Sequence, residues 1–284
     1  MHRLYSDILV VLAAMSLALS PLAVERAKSA ESPANVTTIT AAGSGVNLGI
    51  TRLLATAFAQ KHPEVRVDVP GSIGSKGGII AAAEGAIPLG LVSRPLKAKE
   101  QDLGLVYHPY ARVAMIIGTH PSVTDENITS ADLVQIFQGN KSRWQDGHEI
   151  IVLSREEGDS GFGLLSQAIK GFQQAWDESL AAKRWTVHFN DQDANRALAA
   201  TPYALGVADL GMITTEHLSI KPLALDGFSP TEDNVGNGSY RLIRELAFVY
   251  RPDTLPEAAK AFMDFVTTEA GKTILRDNQY IPLP

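Results

Sequence analysis

From residue 36 to the C-terminus, short apolar runs alternate with amphipathic stretches, and small, polar, glycine-rich turns separate them. No other feature constrains the fold as strongly. Apolar runs that pass repeatedly into helical-period stripes are the pattern of an α/β protein. Residues 36–41, 65–69, 89–92, 113–118, 150–153, 204–208 and 245–250 read as strands. Ile50, Leu53, Leu54, Ala57 and Phe58 share one helical face, and 79–85 forms a short helix. Thr129 with Asp132 three residues on is a capping-box signal; Leu133, Ile136 and Phe137 make the apolar face, and Gly139 is the stop. Residues 161–180 are largely helical, and 256–275 read as one long helix with Phe262, Phe265, Val266 and Ile274 inward.

Four of the turns have the chemistry of an oxyanion cradle. They are Ala42-Gly43-Ser44-Gly45, Gly74-Ser75-Lys76-Gly77-Gly78, Ser93-Arg94-Pro95 and the segment from Arg155 through Glu156, Glu157, Gly158 and Asp159 to Ser160-Gly161. Three of the four run into a helical pattern. A helix start offers unpaired N–H groups and the positive end of the macrodipole, and small residues let an anion approach them. Four such segments in one chain suggest one small anion held from several sides.

Composition excludes much else. A chain of 284 residues, 45% hydrophobic and 20% charged, can bury a sizeable core and is not a disordered composition. Its formal net charge of −6 disfavours nucleic acid or an anionic membrane as partner, so an anion must be held by local donors. With no cysteine there is neither a disulfide nor a thiolate metal site, and the seven histidines lack H-E-x-x-H spacing; no metal or cofactor is expected. Residues 1–30 read as a signal peptide: Arg3 precedes an apolar stretch over 8–23, with Ala18-Leu19-Ser20 or Ala27-Lys28-Ser29 as a small-x-small cleavage site. An uncleaved anchor is the alternative, and a periplasmic location follows from either.

The order of motifs resembles the bacterial periplasmic phosphate-binding proteins, the soluble receptors of phosphate uptake transporters. The likeness runs from about residue 36 to the end. It rests on Gly74-Ser75-Lys76-Gly77-Gly78 followed by Ser93-Arg94-Pro95-Leu96-Lys97, on residues 128–139 ahead of Trp144, and on Arg155 with Ser160-Gly161. Residues 201–206, Leu225-Asp226-Gly227, Gly238-Ser239-Tyr240, and Gly271 ahead of Tyr280-Ile281-Pro282 complete it. The resemblance implies a two-domain type II periplasmic binding fold. Each domain is a mixed sheet flanked by helices, and the ligand cleft lies between them. Domain I would hold 34–107 and 245–284, and domain II 108–244, with 107–110 or 234–239 as crossings. Domains of this kind close over ligand by hinge motion.

The resemblance also implies ligand contacts, each with a plainer reading beside it. Ser75 matches the family serine on phosphate, or is a helix N-cap. Arg155 matches the family arginine that grips the anion, or pairs with Glu156, Glu157 or Asp159. Ser160 and Gly161 match the serine–glycine opening the next helix, with capping by Asp159 or Ser160 as the alternative. Ser44, Gly45 and Val46 would donate through hydroxyl and backbone, and Ser93 through its hydroxyl.

Three departures stand out. Gly45 replaces a threonine or serine, and Phe162 replaces a threonine while keeping its N–H. Arg94 stands where some phosphate receptors carry an aspartate that accepts the ligand's proton. An arginine cannot accept, so Arg94 either turns to solvent or adds charge to the site, and Asp159 is another candidate acceptor. Trp144, Trp176 and Trp185 read as packing residues rather than sugar platforms.

The leading function is therefore a non-enzymatic, monomeric receptor that delivers phosphate or a similar oxyanion to the membrane permease of an ABC transporter. The same fold could bind sulfate, molybdate, tungstate or a small carboxylate, or sense a ligand for a signalling partner. A phosphatase or esterase is remote: Ser160 is not in a G-x-S-x-G elbow, and no base is assigned to it.

Overall fold

The structure, a computed structural model, describes residues 36–284; the signal-peptide reading lies outside them. The first part of the chain forms β1 (Thr37–Gly43), α1 (Gly45–Lys61), β2 (Val65–Asp68), α2 (Gly74–Ala83), β3 (Leu89–Val92), α3 (Ala98–Gln101) and β4 (Val106–Thr119). Then follow β5 (Asn127–Ile128), α4 (Ser130–Gln138), β6 (Ile151–Arg155), α5 (Ser160–Ala168), α6 (Phe172–Ala181), β7 (Thr186–His188), α7 (Asp191–Ala200) and β8 (Ala204–Asp209). The remainder holds α8 (Leu210–Thr215), β9 (Lys221–Pro222), β10 (Ala224–Leu225), α9 (Glu232–Gly236), β11 (Ile243–Tyr250), α10 (Glu257–Thr267), α11 (Glu269–Asp277) and β12 (Ile281–Pro282).

The large sheet is mixed, in the order β2-β1-β3-β11-β4-β8-β6-β7, with β12 and β9 also pairing with β4. The β1–β2, β1–β3, β6–β7 and β6–β8 pairs are parallel, as crossover helices require. β4 joins the two halves. Its first part, from Val106 to Ala114, runs antiparallel to β11, and from Met115 to Thr119 it pairs with β8.

Two large apolar cores lie along this sheet. One gathers Leu54, Phe58, Tyr110, Phe248 and Phe262; the other gathers Ile136, Phe137, Phe162, Phe172 and Trp176. Val113 belongs to the first and Ala114 to the second, so consecutive residues of β4 serve different cores. Residues 107–110, one of the stretches read as a crossing, are strand throughout. The register of β11 shifts between Leu246 and Ala247, opposite Ala111 and Pro109, which lets the ladder pass the missing N–H. Among the described residues no helix is long and apolar enough to cross a membrane.

Local rules held where they were local. Thr129 accepts from the Asp132 N–H, Asp132 answers the Thr129 N–H, and Gly139 ends α4 with φ 83°. They failed where packing intervened. The helical stretch over 161–180 is two helices, broken where Gly171 takes φ 86°. The stretch over 256–275 also splits, because Thr268 caps α11 through the Gly271 N–H. Leu53 points outward, while Ile50, Leu54 and Phe58 are buried as expected.

Candidate functional site

The cradle segments meet where β1, β3 and β11 end against the start of α5. α1 begins at Ser44, whose N–H donates to Leu91 O, and Asn47 ties the helix to Val92 O and Tyr110 Oη. α2 starts one turn earlier than its apolar pattern, with Ile73 as N-cap, so Ser75 is not the cap and its hydroxyl is available. Gly78 lets α2 press onto β1: a Cβ there would sit 2.9 Å from Ala42 O. α5 is capped by Asp159, whose Oδ1 accepts from the Gly161 and Phe162 N–H groups, which frees the Ser160 hydroxyl in turn.

These placements bring four serine hydroxyls together. Ser44 Oγ donates to Ser93 Oγ at 2.9 Å. Ser93 Oγ also lies 3.4 Å from Ser75 Oγ and 3.5 Å from Ser160 Oγ, while the Ser93 N–H donates to Ser75 Oγ at 3.2 Å. Into the same cluster comes Arg244 from β11, donating from Nη1 to Ser160 Oγ at 2.9 Å and to Ser93 Oγ at 3.4 Å. Gly161 permits this, because a Cβ there would collide with Arg244 Nη2.

Arg244 is only 4% exposed, and its counter-charge is Asp209 at the end of β8, itself 1% exposed. Nε lies 3.0 Å from Asp209 Oδ1, yet neither atom has an aligned hydrogen bond, so this is an ion contact of poor hydrogen-bond geometry. Burial pushes the Asp209 carboxyl up to about 7, against the opposing pull of Arg244.

Arg155 has the opposite disposition. Nε donates to Glu156 and to His188 O, Nη1 to Asp191 at 2.7 Å, and Nη2 contacts Glu156 and Asp159. Burial works against its charge, but the carboxylates of Asp191, Asp159 and Glu156 outweigh it and raise its pKa. Every nitrogen is engaged, which is the pairing reading in full, with Asp191 as a partner no local signal indicated. Asp191 also lies against Gly45 at the start of α1, and Gln192 donates to Gly45 O.

The remaining candidates divide clearly. Arg94 is a correction to both readings: it is neither free in solvent nor in the cluster but forks onto Glu100 with two contacts of 2.7 Å. That hydrogen-bonded pairing holds the Glu100 carboxyl below the usual carboxylate range. Phe162 is core, its ring tilted against Trp176 with centroids 5.0 Å apart, and its N–H is already taken by Asp159. Val46 is buried and its carbonyl accepts from Tyr280 Oη. Trp144 and Trp176 are buried, each indole N–H on a backbone carbonyl. Among the described residues Ser160 Oγ hydrogen-bonds to Ser93 and Arg244 and to no histidine, lysine or carboxylate.

Chemically, the cluster is rich in donors. Hydroxyls can turn their hydrogens toward an anion, and a guanidinium only donates. Two cavities, of about 980 and 960 Å³, flank it and share Glu157, Gly158, Asp159 and Ser160. Sequence reasoning missed Arg244 altogether, and no motif around it could have revealed it.

A mixed sheet with two large cores and a donor cluster near their junction is the build of the type II periplasmic binding fold. The chain belongs to the PBP superfamily, whose domain profile matches residues 28–270, and its fold is the type II periplasmic binding fold. Phosphate-binding protein PstS 2 of Streptococcus agalactiae is 30% identical over 141 residues, covering 47% of this chain; the chain thus spans about half (46%) of that relative's length. Phosphate-binding protein PstS of Borreliella burgdorferi is 21% identical over 215 residues, covering 73% of this chain and 77% of its own. A Clostridium perfringens protein assigned as a phosphate ABC transporter substrate-binding protein, solved with bound phosphate, superimposes with TM-score 0.78 at 25% identity, over 87% of this chain and 100% of its own.

Proposed function

We propose that this chain is an extracytoplasmic solute-binding protein that captures phosphate, or a closely similar tetrahedral oxyanion, for the permease of an ABC transporter. One observation carries the reading: Ser44, Ser75, Ser93 and Ser160 converge with a buried arginine, Arg244, in a cluster whose hydroxyls and guanidinium can all donate to one anion. An oxyanion entering there replaces weak hydroxyl–hydroxyl contacts with charge-assisted bonds, roughly twice as strong as neutral ones. The relatives' names point to the same ligand class, and none of them names an enzyme.

Capture would work by closure. We assign the chain from β1 to Val113, with 244–284, to one domain and the segment between to the other, and place the hinge on β4 near Val113–Ala114 and on β11 near Ile243. Arg244 stands beside that hinge and reaches both Ser93, in the first domain, and Ser160, in the second. Export through residues 1–30 and a monomeric state belong to the same reading.

Sulfate is the second reading, and one observation favours it. Arg94 is tied to Glu100 and both Asp159 oxygens are engaged, so neither of the two positions considered for an acceptor offers a free carboxylate to the ligand's proton. Calorimetric titration with phosphate, sulfate and molybdate decides between them. Phosphate binding well above sulfate supports the first reading, equal affinities support the second, and heat from none of the three defeats both.

A further inference from the structure

The cavity on the Arg244 side is much larger than an inorganic oxyanion requires. It encloses about 980 Å³, on the order of thirty waters' worth at ~30 Å³ each, whereas a tetrahedral oxyanion displaces only a few. A volume of this size suits an organic ligand, for which pockets of roughly 300–1,000 Å³ are usual.

Its walls differ from those of the cavity on the other side. Ser93, Ser160 and Arg244 form one end. Leu164, Leu180 and Ile243 line it as half-buried residues whose other sides pack on the second core, and the amides of Gln167 and Gln173 stand among them. Apolar surface with a few directed amides is the surface that recognises a small polar organic group. Two of the cations in the wall are committed, Arg94 to Glu100 and Arg112 to Glu245, which leaves Lys97, with Glu157, Asp159 and Asp177 beside it. The cavity across the cluster shares Lys97, Glu157 and Asp159 with it and adds Glu156 and Asp191 beside Lys76.

We infer that the site accepts phosphate monoesters of small polar alcohols, with the phosphoryl oxygens on Ser93, Ser160 and Arg244 and the organic substituent in the 980 Å³ cavity. This rests on the oxyanion reading above and narrows it to a ligand class. A monoester keeps three non-bridging oxygens for the donors, and its bridging oxygen directs the substituent away from the cluster.

Gly163 offers a clean test. It lines this cavity from α5, and a Cβ there would meet nothing within 4 Å, so Gly163→Leu adds bulk to the cavity wall without a clash at the Cβ. Leucine is also the better helix former. Gln167→Trp, at an exposed position of the same helix, narrows the cavity independently. The probes are inorganic phosphate, glycerol phosphate and phosphoethanolamine, titrated into the purified protein and both variants.

The expected result is glycerol phosphate binding within about tenfold of phosphate, or tighter, with each variant weakening the ester at least about tenfold and leaving phosphate within about twofold. Ester binding without phosphate binding also supports the inference. Phosphate binding with neither ester bound overturns it and leaves the oxyanion reading intact, as do variants that weaken both ligands equally or neither. Failure of all three probes overturns both.

Discussion

Replacing Arg244 with glutamine is the most searching perturbation of the site. Two effects follow, and they fall in different measurements. The first is on affinity: a hydrogen bond to a charged group contributes about 1.5–3 kcal/mol, so losing the guanidinium from the cluster should weaken phosphate binding roughly 10- to 150-fold. The second is on stability. Asp209 is 1% exposed, and Arg244 is its close counter-charge. Removing one partner of a buried pair costs about 3–5 kcal/mol when the other stays charged. Asp209 has another course open, because burial already pushes its carboxyl up to about 7 with Arg244 present. Without that cation the carboxyl rises further, and at pH 6 it takes up a proton rather than standing buried and charged. Calorimetry on Arg244→Gln at pH 6, with thermal unfolding alongside, therefore separates the two effects. A folded variant whose phosphate Kd stays within about twofold of the parent would refute Arg244 as a ligand donor.

Three further outcomes are expected. Arg94→Ala leaves phosphate affinity unchanged, because its guanidinium is committed to Glu100; a tenfold loss by calorimetry would return Arg94 to the site. Phe162→Ala empties a position 1% exposed among Phe137, Phe172 and Trp176, and should cost roughly 3–5 kcal/mol, or a fall of ~10 °C in Tm by scanning calorimetry. Asp209 gives stability a pH slope. Between its ordinary value of 3.8 and about 7 the folded state holds a proton that the unfolded state has released. Its contribution to stability therefore falls as pH rises across that window, and the loss is complete above about 7. The Tm of the parent minus that of Asp209→Asn should decline from pH 5 to pH 8, and parallel curves would contradict the assignment.

Much of this was legible residue by residue. Ser44, Ser75 and Ser160 were each marked by a neighbouring glycine, because a hydroxyl beside glycine at a helix start is a local device, and Ser93 by the Ser-Arg-Pro turn. Thr129 with Asp132, and Gly139, were readable for the same reason: capping is settled within a few residues. The cap assignments at the site itself were not. Whether Ser75 or Ser160 spends its hydroxyl on its own helix depends on where the helix begins, and packing of α2 on β1 and β3 moves that start to Gly74.

The α/β rhythm, the donor-rich turns and the absence of thiol chemistry belong to the sequence alone, since all three follow from local pattern and composition. The choice between two arginines does not. Arg155 lies in a marked motif and ends among Glu156, Asp159 and Asp191, while Arg244 lies in no motif and ends among the hydroxyls. Its partners are 84 and 151 residues away in the chain. They become neighbours only because β11 inserts between β3 and β4, which sets its first residues beside the end of β3 and the start of α5. A side chain's electrostatic partner is fixed by strand order, a non-local property, and the tertiary structure alone decided which guanidinium joins the serine hydroxyls.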